Sequence, residues 1–455
     1  MDTAALHKMQ EYFDSGATRN YDFRRKQLQL LYKALEKWEA KLYEALYADL
    51  HKSAEESYVT ETGFTKAEIS HALEHLHSWM EVEHVSTPFA LFRSKSEIIH
   101  EPWGVSLIIA PWNYPVQLVL GPLVGAIAGG NCVVLKPSEF APHVAGVLAE
   151  MIKDTYGEDY IKVVQGDGAA LIPDMINNFH FGHVFYTGST KVGREIAMLT
   201  APQFVPTVLE LGGKSPCIVA EDANIKVAAK RIAWGKFTNA GQTCVAPDYV
   251  LVQEKVKVEL IAALKGSINE LYGKADQSAD YGRIINDKHY ERLCGYLNEG
   301  QIIYGGQTDK QNRYISPTLL ADVQLTDTVM QEEIFGPVLP VISYKTEKEA
   351  KDIIARNPDP LALYLFTNNK QTENSFMKGI SFGGGCVNNT LVHLANPSLP
   401  FGGVAASGVG KYHGKYGFET FTRPKAIMKT ANFPDVPIKY PPYKGKIRLF
   451  RWLLK

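Results

Sequence analysis

The chain has 455 residues, 45% hydrophobic and 21% charged, the balance of an ordinary globular protein with more than one core. Lys and Arg total 48 and Asp and Glu 49, a net charge of −1 that leaves no electrostatic case for nucleic-acid binding. Five scattered cysteines (Cys132, Cys217, Cys244, Cys294 and Cys386) argue against a disulfide framework, and no basic-plus-apolar leader opens the chain, so a cytoplasmic location is expected.

Leu28, Leu31, Leu35, Trp38, Leu42, Leu46 and Leu50 recur every three or four residues and predict a helix; residues 65–82 predict a second. Ser86-Thr87-Pro88 breaks the pattern, and residues 94–102 read as an extended, partly polar arm suited to strand exchange between subunits. From Gly104 the pattern changes to strand–helix alternation. Residues 105–110 form a continuous apolar run, as in a strand covered on both faces. A Pro-bounded loop, a helix over 116–128 and a strand over 132–135 make a βαβ unit. Residues 144–156, 163–164 and 184–186 continue it.

The alternation restarts after Gly213 with a helix over 225–238, a strand over 249–252, a helix over 256–271 and further units to about residue 388. The predicted fold class is α/β, with two tandem open α/β domains, each a parallel sheet with helices on both faces, joined near residues 209–213. The longest apolar stretch, 116–128, is interrupted by Gly121, Pro122 and Gly125 and is too short to span a bilayer. At the C-terminus, residues 444–455 alternate basic and large apolar side chains at helical spacing. A membrane-surface helix has that pattern; a helix packed on its own protein or on a partner subunit has it more often.

Cys244 stands in Asn239-Ala240-Gly241-Gln242-Thr243-Cys244-Val245-Ala246-Pro247, with no second cysteine at metal or redox spacing, and no metal site is expected. A lone thiol in this setting is a nucleophile or, with equal weight, an inert buried side chain. Glu210 ends the apolar run Thr207-Val208-Leu209-Glu210. Burial would raise its pKa toward that of a general base, although an ion-paired structural Glu is the commoner outcome. Enough chain separates Glu210 from Cys244 for both to face one cleft. Asn113, in Pro111-Trp112-Asn113-Tyr114-Pro115, is either a turn residue or an amide aimed at a developing oxyanion.

Tyr186-Thr187-Gly188-Ser189-Thr190-Lys191-Val192-Gly193 leads from a strand into a helix. Gly188 permits a sharp turn, Ser189 or Thr190 can cap the helix, and a pyrophosphate suits its N-terminus. A glycine there is usually only a turn, and the segment is not a GxGxxG fingerprint. Lys136 and Glu139, at the carboxyl end of another strand, can bind ribose hydroxyls or simply face solvent.

Those motifs, with Glu210-Leu211-Gly212-Gly213-Lys214, Glu332-Glu333-Ile334-Phe335-Gly336-Pro337 and Pro400-Phe401-Gly402-Gly403 followed by Ser407-Gly408, stand in the order found in the aldehyde dehydrogenase superfamily. The chain resembles that family over nearly its whole length. The Tyr in the Asn113 motif and the segment from Gly410 to Phe418 resemble its class 3 branch of fatty and aromatic aldehyde dehydrogenases. The resemblance implies an NAD(P)-binding domain over 1–82 and 102–210, a catalytic domain over 211–418, a bridging arm over 83–101 and 419–443 that joins a homodimer, and the basic tail over 444–455.

It also implies roles. Cys244 attacks the aldehyde to give a thiohemiacetal, its oxyanion held by Asn113 and the Cys244 N–H. Hydride passes to the nicotinamide, and Glu210 activates the water that hydrolyses the thioester. Glu333 and Phe335 attend the nicotinamide ribose and ring, and Lys136 and Glu139 the adenosine ribose. Gly188, Ser189, Gly193 and Leu211 belong to the cofactor site. NAD is expected because Glu139 repels a 2′-phosphate; Lys136 beside it leaves NADP open. Two further readings stand beside this one: a relative that passes the acyl group to coenzyme A, and a non-enzymatic protein retaining the fold.

Overall fold

Strand Val105–Ile109 is buried at every residue, and so are Cys132–Lys136 and His183–Thr187, as expected of runs apolar on both faces. In this computed structural model, which describes residues 3–435 and 437–454, they lie in one six-stranded sheet. Its order is Gly408–Val409, Thr207–Glu210, His183–Thr187, Val105–Ile109, Cys132–Lys136, Ile161–Val163. Met1, Asp2, Val436 and Lys455, which fall within the expected regions 1–82, 419–443 and 444–455, lie outside the described residues.

The chain enters this sheet at Val105–Ile109, runs outward through Cys132–Lys136 and Ile161–Val163, then returns to the other side through His183–Thr187 and Thr207–Glu210, all parallel. The reversal makes a topological switch point beside Val105–Ile109, and open α/β sheets bind ligands at the carboxyl ends of strands there. Gly408–Val409 pairs antiparallel with Thr207–Glu210, setting Gly408 opposite Glu210. A two-residue strand so far along the chain gives no pattern in sequence.

A second sheet of seven strands runs Gln301–Tyr304, Thr318–Ala321, Val338–Tyr344, Tyr249–Gln253, Pro216–Val219, Ala362–Phe366, Gly384–Val387. It is parallel except for Gln301–Tyr304, which opposes Thr318–Ala321. Strand Ser94–Pro102 pairs with Glu83–Val85 on one side and along its full length with Thr422–Thr430 on the other, giving a three-stranded antiparallel sheet.

The long N-terminal helix Tyr21–Leu50 is capped by Asn20, whose side chain accepts from the Asp22 N–H, and ends at His51 in a left-handed conformation. Helix Gly63–Met80 follows through a π-helical turn, Tyr58–Thr62. At the far end, helix Ile447–Leu453 leaves Ile447, Leu449 and Trp452 exposed, with Phe450 and Leu453 half-buried. No helix among the described residues is long and apolar enough to cross a membrane.

Candidate active site

Four strands of the first sheet deliver their carboxyl ends to one edge. Ile109 pairs with Lys136 and stands beside Tyr186, while Thr187 pairs with Glu210. The loop carrying Asn113 follows Ile109, Gly188 follows Thr187, and Glu210 ends its own strand. Cys244 arrives from the other side, on the loop after helix Ile225–Phe237.

That loop turns through Asn239, Ala240 and Gly241 with φ of 53°, 51° and 76°, three consecutive left-handed residues of which two carry a Cβ. Such backbone costs on the order of 1–3 kcal/mol per residue and persists only where its surroundings enforce it. They do so here. A Cβ on Gly241 would collide with the Gly336 carbonyl. Gln242, wholly buried, donates to the carbonyls of Asn239 (3.1 Å) and Arg283 (2.9 Å) and accepts from the Ile285 N–H.

Cys244 and Glu210 line one cavity of about 200 Å³, together with Thr187, Leu211, Tyr412 and Phe401. The wall also includes Phe64 and Trp234. Glu210 is 2% exposed and neither carboxylate oxygen has a hydrogen-bond partner. Burial alone holds its pKa well above the usual carboxylate range. The structural alternative of an ion-paired Glu does not apply.

Cys244 is partly buried. Burial first, then the charges of Glu333 and Glu210, push its thiol up to about 12, against the opposing pull of its own N–H and that of Val245. A reactive thiol is favoured where its pKa is lowered, and burial acts in the opposite direction here.

Asn113 is 2% exposed and is not among the residues lining the cavity. Its Nδ2 donates to the Gln242 carbonyl at 3.1 Å, two residues before Cys244, and its own carbonyl accepts from Asn239 Nδ2 at 2.8 Å. The amide is thus fastened to the thiol's loop.

Glu333 reaches the same neighbourhood from a separate loop. Its carboxylate lies so close to Gly212 that a Cβ at that position would force the Glu333 side chain to shift. Burial and Asp248 push its pKa up to about 8, opposed by Lys214 and the Gly213 N–H. Lys214, 4% exposed, donates to Asp248 (2.5 Å) and to the carbonyls of Val329 (2.7 Å) and Glu332 (2.9 Å), and so fixes this loop. Phe335 has a left-handed φ of 50° and sets its ring edge-on to Trp112, 5.3 Å between centroids.

The remaining expected residues lie along the sheet edge. Ser189 accepts from the Val192 N–H and caps helix Thr190–Thr200. Gly193, in its first turn, lies against the Leu211 side chain. Gly188 donates to the Glu210 carbonyl at 3.0 Å. Lys136 donates to Glu139 at 2.8 Å and to the Pro137 carbonyl at 2.9 Å, while Glu139 accepts from the Gly168 N–H. A capped helix start at the switch point, with a cation and an anion two strands away, fits a dinucleotide's pyrophosphate and ribose.

Sequence reasoning missed Thr187, whose hydroxyl is buried without a partner, and it assigned no role to Lys214, Tyr412 or Trp234. Trp234 was open to detection, since it falls eight and four residues after Lys226 and Lys230 on the exposed face of helix Ile225–Phe237, where it is 38% exposed. The others lie in motifs whose individual side chains sequence alone cannot orient.

The aldehyde dehydrogenase family model matches residues 3–427. The 4,4'-diaponeurosporen-aldehyde dehydrogenase of Staphylococcus aureus is 48% identical over 98% of this chain and 97% of its own length. Aldehyde dehydrogenase family 3 member B1 of Rattus norvegicus is 44% identical over 97% of this chain and 94% of its own length, in keeping with the class 3 resemblance. Among solved structures, the substrate-bound state of Staphylococcus aureus AldH covers all of both chains at 47% identity with a TM-score of 0.98. P. syringae AldA, an indole-3-acetaldehyde dehydrogenase in complex with NAD+ and IAA, covers 94% of this chain and 88% of that one at 25% identity and a TM-score of 0.85. The chain belongs to the aldehyde dehydrogenase family, and is an NAD(P)-dependent oxidoreductase acting on aldehydes.

Proposed function

We propose that this enzyme oxidises medium- or long-chain aliphatic or aromatic aldehydes to carboxylic acids, with water as the final acyl acceptor. One observation carries the reading: Cys244 and the unpartnered carboxylate of Glu210 line a single cavity whose remaining wall is almost wholly apolar. Sγ of Cys244 adds to the aldehyde carbon, and the thiol proton passes to one of the two carboxylates that flank it. The Asn113 amide and the Cys244 N–H hold the resulting alkoxide. A bound oxidised nicotinamide supplies the two-electron acceptor that turns this adduct into a thioester. Glu210 takes a proton from water, the water oxygen bonds to the acyl carbon, and the Cys244 thiolate leaves.

In this reading Glu333 and Phe335 hold the nicotinamide ribose and ring, and Lys136 and Glu139 the adenosine ribose. Gly188, Ser189 and Gly193 border the phosphates, and Leu211 belongs to the cofactor site. NAD is favoured because Glu139 opposes a 2′-phosphate, and NADP remains usable because Lys136 sits against that carboxylate. The apolar wall favours substrates that gain from leaving water, at about 0.8 kcal/mol per methylene. The name of the Staphylococcus aureus relative likewise carries a diaponeurosporen aldehyde. Product analysis with and without coenzyme A tests the assignment. Free carboxylic acid at an unchanged rate is expected; an acyl-CoA product would replace hydrolysis with acyl transfer.

The same reading makes the enzyme a homodimer joined through the sheet of Ser94–Pro102 and Thr422–Thr430, whose outer edges are open to pairing. It also gives the tail a peripheral membrane contact in the cytoplasm. Phe89 and Phe92 are 70% and 61% exposed beside Trp452, 64% exposed, with the Phe89 and Trp452 rings 6.3 Å apart, and Lys444, Lys446, Arg448 and Arg451 are close by in sequence.

A further inference from the structure

Lys52 and Glu61 form an ion pair, Nζ to Oε1 at 2.7 Å, with both side chains at 0% exposure. Neither belongs to any motif of the catalytic reading. Their origin is local: the long helix stops at left-handed His51, which turns Lys52 inward, and Glu61 sits in the π-helical turn Tyr58–Thr62. π-Helical turns of this kind often mark functional positions.

The pair's remaining valences go to a single distant loop. Glu61 Oε2 accepts from the N–H groups of Val116 (3.0 Å) and Gln117 (2.9 Å), anchoring the start of helix Gln117–Gly129. Lys52 Nζ donates to the Asn113 carbonyl at 3.0 Å and stands 4.0 Å from the centre of the Tyr114 ring. Asn113 and Tyr114 are in turn fastened to the thiol's loop, Asn113 Nδ2 to the Gln242 carbonyl and Tyr114 Oη to Thr243 Oγ1 at 2.6 Å. The Asn113 carbonyl also accepts from Asn239, whose own N–H is held by Glu56 Oε1 at 3.0 Å.

Desolvating two charges makes a buried ion pair a poor source of stability, and apolar side chains would fill the space at less cost. What charges add here is direction. A cation and an anion fix three points of one loop, at residues 113, 116 and 117, from a rigid base.

We propose that Lys52 and Glu61 are positioning residues for the oxyanion step: through the Asn113 backbone they set where the Asn113 amide stands relative to Cys244. The proposal rests on the reading of Asn113 as the oxyanion donor and goes beyond it to the groups that aim it. Displacing such a donor by about 1 Å can cost on the order of 100-fold in rate.

The test is a double-mutant cycle on the rate of the pre-steady-state NADH burst, with the dissociation constant of NAD+ and the melting temperature measured for each full-length variant. Lys52→Met should slow the burst by about 10- to 100-fold and leave NAD+ affinity within about twofold. In the Asn113→Ala background, the same substitution should add less than about threefold. Should Lys52→Met fail to fold, Lys52→Met with Glu61→Gln removes both charges and serves in its place. Equal losses in both backgrounds, or an unchanged burst in Lys52→Met, would overturn the positioning role while leaving Asn113 as donor. An unchanged burst in Asn113→Ala alone would remove the donor reading itself, and the inference with it.

Discussion

Glu210 ends a strand of the six-stranded sheet and Cys244 lies on the loop between helix Ile225–Phe237 and strand Tyr249–Gln253, yet both open onto one apolar cavity, and the Glu210 carboxylate has no hydrogen-bond partner there. A carboxylate kept bare in an apolar wall is costly to the fold. Chemistry on the thiol's product supplies a reason for it. That relationship gives the following expectations.

Cys244→Ala should abolish NADH formation from every aldehyde tested. NAD+ affinity by fluorescence titration should remain within about threefold, because the expected cofactor residues lie on other segments. Residual turnover would require another nucleophile.

Glu210→Gln should lower the steady-state rate by about 100- to 10,000-fold, the ordinary range for loss of a general base. The burst of NADH in the first turnover should persist, since the base acts after the thioester forms. Stopped-flow absorbance separates the two phases. An unchanged steady-state rate would move the role to Glu333, the other carboxylate beside the thiol.

The same substitution should stabilise the protein, and more so at higher pH. Burial raises the folded-state pKa of Glu210 above its unfolded value. The folded carboxyl therefore keeps its proton where the unfolded one has lost it. Its contribution is fully present below the unfolded pKa and is lost as pH rises toward the folded pKa, at up to about 1.4 kcal/mol per pH unit. Glutamine carries no such dependence. The gain in unfolding free energy of Glu210→Gln over wild type, from urea titrations at pH 5, 7 and 9, should grow in that order.

Chain length should set catalytic efficiency. Each methylene placed against the cavity wall contributes about 0.8 kcal/mol, near fourfold in kcat/KM, until the cavity is filled. Trp234→Ala should flatten that series for long aldehydes and leave short ones little changed, as Trp234 lines the cavity and is 38% exposed. A flat series in wild type would remove the apolar-substrate reading.

Deleting residues 444–455 should abolish co-sedimentation with vesicles containing anionic lipid, and raised salt should weaken the wild type's binding. Each basic residue near such a surface contributes about 1 kcal/mol. Unchanged co-sedimentation would free the tail for contact with its own protein or a partner.

Much of this was legible in the chain. Strands Val105–Ile109 and Cys132–Lys136 announce themselves as apolar runs closed by Gly or Pro, and the arm Ser94–Pro102 as an extended segment between helical and α/β patterns. The motifs fixed Glu210 and Cys244 as candidates, and one cavity contains both. Other features depend on distant contacts. Ala240 has no local preference for a left-handed φ, yet it adopts one of 51° beside Gly241, which lies against Gly336. The thiol's raised pKa comes from burial and from two carboxylates brought in on separate segments, which spacing cannot reveal. Nothing in the sequence around Lys52 and Glu61 marks them for burial, and only the fold closes over them.

The most direct test of the account is intact and peptide mass spectrometry of Glu210→Gln after brief mixing with a long-chain aldehyde and NAD+. The expected result is one acyl group per chain, on the peptide containing Cys244 and cleavable by hydroxylamine. Steady acid production with no adduct, or an adduct on any other side chain, would contradict it.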